Sequence, residues 1–123
     1  MAAETERRRR AYRHGRAAEW LCAALLVLKG YRIVARGVRL PVGEIDIVAR
    51  RAGVLACVEV KRRKTFRDAA EAVTARQQRR IGRAAEGFVA RRPDLAGLAI
   101  RFDVMLVAGG WRPRHIEDAW RPA

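Results

Sequence analysis

Residues 43–62 constrain this chain more than any other segment. Gly43–Arg50 (GEIDIVAR) and Val54–Arg62 (VLACVEVKR) are mostly apolar runs, and only Arg51, Ala52 and Gly53 separate them. So short a connection makes the two runs antiparallel neighbours in a β-hairpin. Alternation predicts Ile45 and Ile47 on one side of the first strand, with Glu44, Asp46 and Val48 on the other. In the second strand Val54, Ala56, Val58 and Val60 share one face. Leu55, Cys57, Glu59 and Lys61 share the opposite one.

Each of these apolar strands carries a carboxylate, Asp46 in one and Glu59 in the other. A charged carboxylate inside an apolar strand is costly without a partner. Neighbouring strands bring the two together, where they repel unless a cation lies between them. A hard divalent ion with oxygen ligands, Mg²⁺ or Mn²⁺, suits such a pair. Lys61 stands two residues beyond Glu59 and so projects from the same face. An ammonium there can orient or help deprotonate an attacking water, or stabilise a pentacovalent phosphate. The spacing alone equally allows a surface Glu/Lys couple on an edge strand.

The rest of the chain supplies a helix before the hairpin and more strands around it. Residues 1–13 are polar and Arg-rich and read as a basic disordered arm, with a single domain over 14–123. From about Gly15 to Lys29, Ala18, Leu21, Cys22, Leu25 and Leu28 recur at helical steps, and Gly30 is a helix stop. Tyr31–Gly37 reads as a strand. Asp68–Arg92 reads as a long helix with an apolar stripe of Val73, Ile81, Ala84, Ala85 and Phe88, closed by Pro93. Ile100–Val107 is a further strand, Gly109-Gly110 a break, and Arg114–Trp120 a short strand or turn. The expected fold is α/β, in the order αβββαβ plus a short C-terminal strand.

Charge narrows the partner. The 123 residues hold 27 Lys+Arg against 13 Asp+Glu, a formal net charge of +14. Such a field favours a polyanion, nucleic acid before an anionic membrane. Arg62, Arg63, Lys64 and Arg67 follow the second carboxylate strand directly. Arg76, Arg79, Arg80 and Arg83 fall on the polar face of the long helix. Both groups are placed to grip phosphates, and both are also what a solvated face looks like. No aromatic residues interleave them, which favours duplex or branched backbone over stacked single strands. The apolar run Trp20–Leu28 is too short to span a membrane. Cys22 and Cys57 lie among apolar neighbours and read as small buried hydrophobes, consistent with a reducing cytoplasm. His14 and His115 are isolated and read as surface or loop residues.

The whole string is more specific than its parts. Glu19, Gly43-Glu44-Ile45-Asp46 and Glu59-Val60-Lys61 together resemble the PD-(D/E)XK nuclease pattern, and Gly15, Ala18, Val58 and Arg101-Phe102-Asp103-Val104 add to them. They resemble more closely the bacterial YraN-like family, related to archaeal Holliday junction resolvases, over about residues 15–120. The resemblance implies a restriction-endonuclease-like mixed sheet flanked by helices. It implies a Mg²⁺- or Mn²⁺-dependent endonuclease acting on branched or structured DNA, with possible homodimers. Asp46 and Glu59 would coordinate the metal together with the carbonyl of Val60. Lys61 would act on the water, and Glu19 would reach the site from the first helix. Gln77 falls where a polar residue of the long helix faces such sites. It is either a member of the site or a partly exposed helix residue. Glu44 is either a further ligand or a partner of a nearby arginine, and Asp103 pairs with Arg101. A nucleic-acid-binding module that does not cut, or a nuclease acting on RNA, are the competing functions.

Overall fold

A computed structural model describes residues 2–64, 73–108 and 112–122, with the side chains of 6–15 left aside. Helix α1 runs Ala2–Leu28. Strands β1 (Arg32–Leu40), β2 (Gly43–Arg51) and β3 (Val54–Arg63) follow it. Helix α2 is Ala75–Ala90, a 3₁₀ turn covers Pro93–Leu95, and strands β4 (Ala99–Ala108) and β5 (Arg114–Trp120) end the chain. The five strands form one sheet in the order β1-β2-β3-β4-β5. Only the β3–β4 pair is parallel; the others are antiparallel. The expected mixed sheet, helix flanks and element order are therefore present.

The helices cover opposite faces of the sheet. Ile81, Ala84 and Ala85 of α2 pack with Ile45, Val48, Leu55, Cys57, Phe102, Val104 and Leu106. Ala18, Cys22, Ala23 and Leu26 of α1 pack with Tyr31, Ile47, Ala49, Ala56, Val58, Met105 and Val107. Strand β3 alternates between these two cores as its sequence predicts. Strand β2 does not: Ile45 faces α2 while Ile47 faces α1, so the alternation breaks at Asp46. Both thiols are buried, and burial pushes their pKa values up to about 12.

Both helix starts differ from the sequence expectation. Helix α1 begins at Ala2, so the segment read as a disordered arm is helical. Its buried stripe is Ala18, Cys22 and Leu26, leaving Leu21 and Leu28 exposed. In a run apolar on every side, periodicity does not choose between stripes one residue apart. It ends as expected at Gly30, whose φ of +94° lets the Tyr31 N–H reach the Leu26 carbonyl. Helix α2 begins after Thr74, not at Asp68. Thr74 Oγ1 accepts from the Gln77 N–H and Gln77 Oε1 accepts from the Thr74 N–H, a capping box. The earlier part of the predicted helix, 68–72, lies outside the described residues, as do Arg67 and Gly109-Gly110. Among the described residues no helix is long and apolar enough to cross a membrane.

Asp103 forms its expected pair with Arg101, and more. Its side chain is fully buried and accepts from Arg101 Nε and Nη2 at 2.8 Å each, from His115 at 2.8 Å and from the Asp118 N–H at 3.0 Å. Burial opposes its ionisation, but Arg101, His115 and the Asp118 amide outweigh that and lower its pKa to about 2. His115 is thus no surface residue. Its side chain is 3% exposed, held between Asp103 and Lys29. The side chain of His14 lies outside those described.

Candidate active site

The site forms where the central hairpin comes apart. Strands β2 and β3 pair from Arg51↔Val54 to Ile47↔Val58, and the ladder stops there. The next inward-facing donor of β3, the Val60 N–H, is taken by the Asp46 carboxylate at 2.8 Å instead of by a main-chain carbonyl. Asp46 therefore sits at the fork by replacing one rung of the ladder. In a strand the N–H and C=O of one residue leave on the same edge, so the Val60 carbonyl points toward the fork too.

Glu59 faces Asp46 across the fork, and both line one cleft. Burial raises the Glu59 pKa to about 7, and the charge of Asp46 adds to that. Burial also raises the Asp46 pKa, against the Val60 N–H and Lys61, which lower it. Lys61 Nζ lies 3.3 Å from Glu59 Oε1, and both side chains are about 15% exposed or less. Strand β3 is central, paired on both sides. A surface couple on an edge strand is therefore excluded.

Helix α2 closes one wall. The Gly43 Cα approaches it so tightly that a Cβ there would lie 2.4 Å from the Arg80 carbonyl oxygen. The cleft so formed, roughly 260 Å³, is lined by Glu44, Asp46, Glu59, Gln77, Arg80 and Ile81. Gln77 borders this cleft, but its Oε1 is committed to the helix cap. Glu44 is on the exposed rim, 3.8 Å from Arg39. Arg76 is exposed on α2, and Arg62, Arg63 and Lys64 are exposed along β3 and just after it, past Lys61.

Glu19 approaches from the other side. It lines a second cleft, with Arg16, Arg36, Gly37 and Arg39. Burial raises its pKa, and the charge of Asp46 adds to this, so the two carboxylates feel each other although they face neighbouring clefts. The three arginines of that cleft act against the rise. None of the three stands out in the sequence among 24 arginines.

Among the described residues no three His, Cys, Asp or Glu side chains converge on one point. The donor set at the fork is two carboxylates and one carbonyl. That set fits Mg²⁺ or Mn²⁺, which bind through one or two carboxylates and complete their shell with water and phosphate oxygens. It suits Zn²⁺ less well, since both side-chain donors are carboxylates.

A mixed sheet with paired carboxylates and a lysine at the parting of its central strands defines an α/β protein with an acidic cleft flanked by arginines. The chain belongs to the family described as Uncharacterised protein family UPF0102, whose model matches residues 18–107. It is 54% identical to a UPF0102 protein of Parvibaculum lavamentivorans, over 91% of this chain and 84% of that one. It is 51% identical to a UPF0102 protein of Paramagnetospirillum magneticum, over 90% and 89%. A UPF0102 protein of Bradyrhizobium diazoefficiens is 53% identical over 89% and 83%. The matched span contains Glu19, Asp46, Glu59, Val60, Lys61 and Gln77.

Proposed function

We propose that this protein hydrolyses phosphodiester bonds in branched or structured DNA with the help of Mg²⁺ or Mn²⁺. The observation that carries the reading is that Asp46 and Glu59 line one cleft at the strand fork, with Lys61 3.3 Å from Glu59. Two half-buried carboxylates facing one cleft repel when both are ionised, and a cation between them removes that cost. Asp46, Glu59 and the Val60 carbonyl are the groups that would hold the ion. When bound, it supplies positive charge to the phosphate and lowers the pKa of a bound water.

The chain's own residues do the rest. Glu59 fixes the Lys61 ammonium beside the fork, where it holds the attacking water and offsets charge on the phosphate. Asp46 keeps its orientation through the Val60 N–H. Arg80 borders the same cleft, and Arg62, Arg63, Lys64 and Arg76 hold backbone phosphates to either side. Arg67 belongs to this group by sequence. Glu19 faces the neighbouring cleft, near enough to feel the charge of Asp46, and would reach the ion from α1 as an outer group or as a ligand of a second ion.

The proposal extends to a dimer in the cytoplasm. Two-fold substrates match two-fold enzymes, and α1 leaves Trp20, Leu21, Val27 and Leu28 exposed, an apolar stripe for a second copy to cover.

The test is a panel of labelled DNA and RNA structures incubated with Mg²⁺ or Mn²⁺, with EDTA as control. Metal-dependent cleavage of a branched DNA supports the reading. Cleavage of RNA structures alone reassigns the substrate. Binding without cleavage of any structure makes the chain a non-catalytic nucleic-acid-binding module.

A further inference from the structure

A regular strand places residues i and i+3 on opposite faces, so Arg36 and Arg39 of β1 are expected to point apart. They do not. The Arg36 guanidinium lies over the Trp20 ring of α1, 3.8 Å from its centroid. Val38, which a regular strand would set on the same face as Arg36, instead packs into the core under α2. Between them Gly37 has φ +61°, a left-handed value that breaks the alternation. Arg39, the next residue, therefore returns to the α1 side and lines one cleft with Arg36, Arg16 and Glu19.

The switch is not isolated. Arg36 pairs with Ile47 and Val38 with Ile45, so Gly37 lies opposite Asp46. Asp46 is also where β2 changes face. One paired irregularity thus brings the Arg36 and Arg39 guanidinium groups to Arg16 of α1, around a cleft of roughly 350 Å³, and turns a carboxylate into the fork beside it. Stacking on Trp20 holds Arg36 by its π face and leaves its N–H edge to donate. Guanidinium groups converging in a concave site select a phosphate.

We infer that the Arg16/Arg36/Arg39 cleft is a dedicated phosphate subsite, which holds a backbone phosphate of the cleaved strand next to the one at the Asp46/Glu59 fork. The inference rests on the proposed nuclease reading for the word "cleaved". Its physical content, a phosphate held at one register position, stands on the cleft alone. It makes Arg36 and Arg39 positioning residues that set which bond faces the fork.

The experiment is a charge-deletion scan with the full chain in EDTA. Single neutral methylphosphonates are placed in turn along one strand of a four-way DNA junction, and affinity is measured for wild type, Arg36→Gln/Arg39→Gln and Arg62→Gln/Arg63→Gln. Wild type should lose about tenfold in affinity at one or two adjacent phosphates, the weight of a charge-assisted hydrogen bond. The Arg36/Arg39 variant should be insensitive at those same positions, and the Arg62/Arg63 variant should keep the loss. If no position is silenced in the Arg36/Arg39 variant, or both variants are silenced at the same position, the subsite is overturned. Failure of the wild type to bind the junction overturns it too. Should the double variant not fold, Arg39→Gln replaces it, since that side chain is 77% exposed. Cleavage is read separately in Mg²⁺. A register-specific subsite on a junction that is never cut keeps this inference and removes the nuclease.

Discussion

Asp46 accepts the Val60 N–H at 2.8 Å, so the residue proposed to bind metal also closes the β2–β3 ladder. Removing its charge and removing its oxygen are therefore different experiments. Asp46→Asn keeps an acceptor for Val60 and ends the repulsion with Glu59, so it should leave metal-free stability unchanged or higher. Asp46→Ala leaves a part-buried N–H unpaired and should cost about 1–3 kcal/mol relative to Asn. Thermal melts in EDTA of both variants check the order, and equal melting temperatures would show that the bond contributes nothing.

The raised Glu59 pKa makes a pH prediction of defined sign. An acid whose pKa rises from 4.5 to about 7 on folding is easier to bury protonated. Its contribution to stability is complete below about 4.5 and is lost as pH rises to about 7. Metal-free protein should melt at a lower temperature at pH 7.5 than at pH 5, and Glu59→Gln should shrink that difference. A wild-type melting temperature that climbs over the same interval contradicts the fork's charge balance.

Divalent ions should reverse that loss. Binding to the folded state alone stabilises by mass action, and cations compete with protons for the same oxygens. Mg²⁺ or Mn²⁺ should raise the melting temperature more at pH 8 than at pH 5.5. Neither Asp46→Asn nor Glu59→Gln should show the rise. Calorimetric titration at pH 8 that finds no binding, with and without DNA, removes the metal from the mechanism.

The opposite sign holds at Asp103, whose pKa is lowered from 3.8 to about 2. Its contribution is present above 3.8 and is lost as pH falls toward 2. Asp103→Ala leaves Arg101, His115 and the Asp118 amide facing an empty position and should cost about 3–5 kcal/mol. Urea denaturation at pH 7 measures it, and a cost under about 1 kcal/mol would mean the network is replaceable by water.

What was legible in the sequence follows from what is periodic. The short connection between the two apolar runs made β2 and β3 neighbours, with Ala52-Gly53 as the turn, and that alone brought Asp46 and Glu59 together. The Lys61 face followed from counting by two. Irregular features left no such trace. The face switch at Gly37 and Asp46 obeys no period, so the sequence put Ile45 and Ile47 together and did not distinguish Arg36 or Arg39. The buried face of α1 was ambiguous because Trp20–Leu28 is apolar throughout. His115 read as isolated because its partners, Asp103 and Lys29, are 12 and 86 residues away. The start of α2 carries a sequence signal of its own, since Thr74-x-x-Gln77 is a capping-box signature.

Gly43 shows how closely the site depends on α2. A methyl group there would meet the main chain of Arg80, not a side chain able to move aside. Gly43→Ala should push α2 off the start of β2, lowering stability by about 1–3 kcal/mol and opening the cleft. Metal-dependent stabilisation should weaken with it. Gly82→Ala, where a Cβ meets nothing within 4 Å, is the control and should be neutral or slightly stabilising. A Gly43→Ala protein with wild-type stability and metal response would mean that α2 does not shape the fork.

Lys61 carries the sharpest test of chemistry. Its ammonium is 3.3 Å from Glu59, while the chain's net charge of +14 supplies the grip on DNA. Lys61→Ala removes one charge from that field, so affinity for a branched duplex should change little. Cleavage should fall by about 100- to 10,000-fold, the usual weight of a positioned proton-transfer group. Lys61→Arg restores the charge, but a guanidinium stays protonated and places its donors differently, so the rate should recover only in part. Loss of Lys61 also removes a cation from Glu59, which should raise the Glu59 pKa further and move the acid limb of the rate profile to higher pH. Gel shift and product length on one junction, across pH, read all three effects. Alanine and wild-type proteins that cut equally fast would make Lys61 a partner of Glu59 and nothing more. Intact binding with no cleavage by either would leave the fork as a binding feature of a non-catalytic module.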